Sequence, residues 1–129
     1  MNFDEYDERA AETAVYPEAG KFREIAETEI MGYEGNLMVT KGLSYVALGL
    51  TEEAGEFAGH LKKALRDDDG FVTFERRERL LDELGDVLWY VSRAANELGW
   101  SLQLIAERNV EKLQSRKERG KLGGSGDSR

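Results

Sequence analysis

Along most of the chain, apolar residues recur every three or four positions, which is the spacing of a helix with one buried face. The longest run is Val39, Leu43, Val46, Leu50, Ala54, Phe57, Leu61 and Leu65, and it predicts a single long amphipathic helix. Gly42, Gly49, Gly55 and Gly59 lie inside it. Glycine weakens a helix interior, so these positions are expected to serve close packing or a bend near Gly49. A second strong run begins at about Glu75 with Leu80, Leu84, Val87, Val91 and Leu98, and Gly99 supplies the stop. Upstream, Phe3, Tyr6, Ala10 and Thr13 or Ala14 mark a helix closed by Pro17 and Gly20, and Phe22, Ile25 and Ile30 mark a short one before the turn-like "MGYEG". The last helix starts near Ser101, a good N-cap, and carries Leu102, Ile105, Val110 and Leu113.

No stretch reads as a strand; Phe71 to Phe74 is too short and isolated. The pattern predicts an all-α bundle of about four to five helices over residues 1–119. A Gly/Ser-rich tail, 120–129, has no periodicity and reads by composition as a linker.

Composition narrows the class. A chain of 129 residues makes one domain with a modest core, and Trp89 and Trp100 are extra apolar positions that a second copy of the chain could cover. Oligomerisation is therefore expected. A net charge of −8 disfavours nucleic acid as a partner, because neutralising phosphates needs a basic surface. There is no cysteine, no signal-peptide pattern and no apolar run of membrane-spanning length, so a soluble, cytoplasmic protein with no membrane partner is the expectation.

The chemistry lies in the acids. On a helical wheel Glu53 falls about 80° from the centre of its apolar stripe, and Glu56 about 140° away on the same side. On the next helix Glu83 and Asp86 take the same two offsets, about 80° and about 140°, in the same rotational sense. A short loop would make these helices antiparallel neighbours, and matching offsets then bring all four acids to one side of the seam. Either pair alone reads as a solvated helix face. Four carboxylates together repel unless a cation neutralises them, and an oxygen-only set suits a hard ion, Mg²⁺ or Mn²⁺. The last helix is odd as well. Asn109 and Arg116 fall within its apolar arc and Lys112 at the edge, which is either ordinary snorkelling or a face for an anionic ligand.

With those residues in view, "EEAGE" followed by "DELGD", "DVLWY" and the Asn-x-x-Lys-x-x-x-Arg of the last helix resembles the MazG-like nucleoside triphosphate pyrophosphohydrolases, an all-α superfamily. The likeness covers about two-thirds of the chain. It implies hydrolysis of a (d)NTP to the (d)NMP and pyrophosphate by water attack on the α-phosphorus, as house-cleaning of the nucleotide pool. Mg²⁺ (or Mn²⁺) would be held by Glu53, Glu56, Glu83 and Asp86. Glu52 or Glu53 would act as the catalytic carboxylate, and Asn109, Lys112 and Arg116 would contact phosphates. Lys63, within about 20° of Glu56 on the wheel, could join them, although a lysine near a helix end is ordinarily a dipole partner. Trp89 reads as core or interface, and His60 as a lone surface histidine. The "GSGD" ending with a final Arg resembles one MazG-like group, and implies a flap whose Arg129 closes over the nucleotide. Two alternatives stay open: phosphoribosyl-ATP pyrophosphohydrolase, which shares the fold and metal logic, and a helical adaptor that has lost the chemistry.

Overall fold

The computed structural model describes residues 1–29 and 38–123, Glu29 by its backbone alone. The helices are α1 (Phe3–Ala11), α2 (Lys21–Glu29), α3 (Lys41–Asp67), α4 (Phe74–Glu97) and α5 (Leu102–Glu118), with no strand among the described residues. Ile30, "MGYEG" and, of the tail expected to act as a flap, the residues from Gly124 onward lie outside those described. No described helix is long and apolar enough to cross a membrane.

Side-chain caps set most of the helix starts. Asn2 and Glu5 form a reciprocal capping box on α1. Thr40, Thr73 and Ser101 each accept the backbone N–H three residues on, at 3.2 Å, to open α3, α4 and α5. Thus α3 starts at Lys41 rather than at Val39. The first helix is also shorter than the periodicity predicts: it ends at Ala11, and Thr13 lies outside. The Thr13 hydroxyl donates to the Ala10 carbonyl at 3.0 Å and accepts from Trp89 Nε1 at 2.8 Å, so it closes the helix instead of extending it.

The central unit is the α3–α4 hairpin. His60 meets Glu83, Gly49 meets Tyr90, and Gly42 meets Glu97, so contacts climb one helix as they descend the other, and the pair is antiparallel. Two glycines make this close approach possible. A Cβ on Gly49 would overlap the edge of the Tyr90 ring, and one on Gly42 would meet the Glu18 carbonyl and the Glu97 carboxylate. Gly55 and Gly59 face open space. The glycines of α3 therefore serve packing at Gly42 and Gly49, and the helix runs on unbroken from Lys41 to Asp67.

Around this hairpin, α1 packs on α4 and α5, and α2 on α3 and α4. Among the described residues the buried apolar ones are Ala10, Val46, Ala64, Ala95 and Leu102. Polar groups complete the interior. Arg93, 2% exposed, donates to the Asp7 carbonyl at 2.9 Å and to Ser92 Oγ at 2.7 Å. Asp7 accepts from Ser92 Oγ and, at 2.7 Å, from the Leu102 backbone N–H, which ties α1 to the start of α5. Glu97, 1% exposed, accepts from the Tyr16 hydroxyl at 2.7 Å and the Gly20 N–H at 2.6 Å. Those bonds hold the 12–20 connection against α4. Trp89 takes part in the packing, edge-on to both Tyr16 and Tyr90, while Tyr16 stacks on Tyr45.

Candidate metal centre

The antiparallel hairpin sets Glu53 and Glu56 of α3 opposite Glu83 of α4. One carboxylate oxygen from each lies within 4.8 Å of the others. Phe57 on α3, one residue beyond Glu56, is half-buried. Glu53 is partly buried, and its carboxyl is held above the ordinary range. Burial is the first cause, followed by repulsion from Asp86, Glu56, Glu83 and Glu52 in that order. Asp86 lies outside the close triad, yet it is the strongest charged neighbour of Glu53. Its charge also reaches Tyr6 of α1, where burial is the main cause that raises the phenol.

Beside the triad runs an open groove formed by Glu52, Glu56, His60, Lys62 and Lys63, with Gly55 and Gly59 presenting no side chain to it. Lys63 therefore shares a surface with Glu56, and Glu52 stands exposed at the rim. His60 is not a lone surface residue. Its Nε2 is 3.2 Å from Glu83 Oε1 across the seam, and both side chains are largely covered. The spacing held the signal, since His60 follows Glu56 by one helical turn and so projects from the same face.

The last-helix residues lie elsewhere. Asn109 and Lys112 line a separate groove with Ile105 and Ala106, and Arg116 is buried. Among the described residues α5 packs on α1 and α4 and not on α3, the helix that carries Glu53 and Glu56.

Comparison with known proteins decides the family. The model of the MazG nucleotide pyrophosphohydrolase domain matches residues 42–120. This chain belongs to the MazG family. The match takes in the hairpin, the acids and α5, and leaves α1 and α2 outside. A relative, the Gene 37 protein of Mycobacterium phage L5, is 47% identical over 129 residues, covering the whole of both chains. No solved structure matches. In this MazG domain the triad fits a divalent cation on its own terms: three oxygen donors of like charge converge, and the most crowded is pushed toward its neutral form.

Proposed function

We propose that this MazG domain is a Mg²⁺-dependent nucleoside triphosphate pyrophosphohydrolase, with Mn²⁺ as a substitute, that converts a (d)NTP to the (d)NMP and pyrophosphate. The convergence of Glu53, Glu56 and Glu83 within 4.8 Å carries the reading. With Asp86 they would hold the cation. Bound there, the ion would neutralise phosphate oxygens, lower the pKa of attacking water and stabilise charge on the departing pyrophosphate. The water oxygen attacks the α-phosphorus, the bond to the bridging oxygen breaks, and Glu52 or Glu53 accepts the water's proton. Lys63, in the groove beside Glu56, and Asn109, Lys112 and Arg116 on α5 bind phosphates.

The reading extends to assembly. Leu48 and Leu65 on α3 are 72% and 74% exposed, which favours a homodimer or homotetramer that covers α3 and brings a second copy's α5 toward the triad. Residues 1–119 form the catalytic domain and 120–129 a flap, in a protein that acts on the cytoplasmic nucleotide pool. Pyrophosphate release over the common and modified NTPs and dNTPs, with Mg²⁺ and with Mn²⁺, tests the activity. Turnover requiring either ion is expected. Absence of turnover on every nucleotide would leave the non-catalytic adaptor as the better account.

A further inference from the structure

His60 is the one histidine of the chain, and its position answers to no role in the reaction as derived. It bridges 23 residues of sequence to reach Glu83 at 3.2 Å, with side-chain exposures of 13% and 12% for the two partners. Its backbone is held too. Arg76 Nη1 donates to the His60 carbonyl at 3.2 Å, while Arg76 Nη2 donates to Asp68 Oδ2 at 2.6 Å. Arg76 is itself mostly covered, so the end of the hairpin is cross-tied at two levels. A glutamate side chain has three rotatable bonds, and freezing it costs conformational entropy. A donor that fixes one carboxylate oxygen from a covered position meets that cost before any cation arrives.

We infer that His60 is a positioning residue of the cation site: its Nε2–H donates to Glu83 and fixes that carboxylate toward Glu53 and Glu56. This rests on the metal-centre reading above. The imidazole is not itself a ligand, because the mutually close donor atoms belong to Glu53, Glu56 and Glu83 alone among the described residues. Its part is to aim the only triad member supplied by α4. The other two share one helix and take their relative geometry from its turn.

The test uses the full chain and Mn²⁺ alone, with free Mn²⁺ followed by electron paramagnetic resonance and no nucleotide present. His60→Gln places an amide N–H near the Nε2 position and is expected to bind within about threefold of the parent, since the donor is retained. His60→Ala removes the donor and His60→Asn cannot reach, so both are expected to weaken Mn²⁺ binding about 10- to 100-fold. Thermal melting of each apo variant verifies folding, and the Gln and Asn pair decides the matter if Ala unfolds. Parent-like binding by the Asn variant overturns the inference, as does a Gln variant as weak as Ala. Nitrogen coupling from imidazole to bound Mn²⁺ also overturns it, by making His60 a ligand. If the parent chain binds no Mn²⁺, the metal-centre reading itself fails.

Discussion

Replacing Gly49 by alanine tests the α3–α4 seam directly. The added Cβ falls 2.7 Å from the Tyr90 hydroxyl and nearer still to two ring carbons. Non-bonded carbons rest about 3.5–4.0 Å apart, so the ring or the helix must move by about 1.5 Å. Overpacking of this kind costs ~1–3 kcal/mol, and the depth of the overlap puts this substitution at the upper end. Alanine returns ~1 kcal/mol through helix propensity, leaving a net loss of ~2 kcal/mol. For a chain of 129 residues that lowers the melting temperature by about 8 °C. Gly55→Ala is the matched control, because nothing lies within 4 Å of its Cβ and only the propensity gain of ~0.5–1 kcal/mol remains. Thermal and urea unfolding of both variants, repeated in a Tyr90→Ala background, completes the assay. Removing the ring should turn the Gly49→Ala effect from a loss into a gain. A Gly49→Ala protein as stable as Gly55→Ala, with the ring in place, would refute the packing argument.

Glu53→Gln is expected to abolish turnover and Mn²⁺ binding yet raise the stability of the apo chain. The folded protein holds the Glu53 proton more tightly than the unfolded one, so its penalty is full above the folded pKa and absent below the unfolded value of about 4.3. The gain should therefore appear at pH 7 and vanish in melts below about pH 4. Tyr16→Phe removes a hydroxyl from the buried Glu97 carboxylate and should cost ~1.5–3 kcal/mol in urea unfolding. Burial and Glu97 push the Tyr16 phenol up, so in the parent stability should also fall as pH rises past the unfolded value of about 10, and less so in Tyr16→Phe. Lys112→Met should raise KM for the nucleotide at least tenfold with kcat changed little, as measured by initial rates of pyrophosphate release.

Much of the hairpin could be read in advance because it depends on period alone. The offsets of Glu53, Glu56 and Glu83 from their stripes follow from 3.6 residues per turn, and a short connection leaves antiparallel packing as the simple arrangement. Asp86 shows the limit: a wheel gives direction around a helix but not reach across a seam, and its carboxylate falls outside the close set. The end of α1 is not legible in the spacing, because Thr13 fits the apolar period while its hydroxyl serves the Ala10 carbonyl and Trp89, a choice made by tertiary contact. His60 reads as a surface residue for a related reason. Its helical position follows from the period, but its cover comes from α4. Which partner α5 would choose was not legible, since its apolar arc is interrupted by Asn109 and Arg116 and names no neighbour.

The bond from Asp7 to the first N–H of α5 bears on where this fold can be cut. Asp7 precedes the family-matched span, yet it caps a helix inside that span and partners an arginine buried there. Removing a buried pair's acid strands the cation at a cost of ~3–5 kcal/mol, a large part of a small domain's whole stability. The portion shared with the wider family is thus not a module that can be lifted out and expected to stand. The opening helix is internal scaffolding for the closing one, and a truncation that looks harmless from the shared span would undo the chain at its far end.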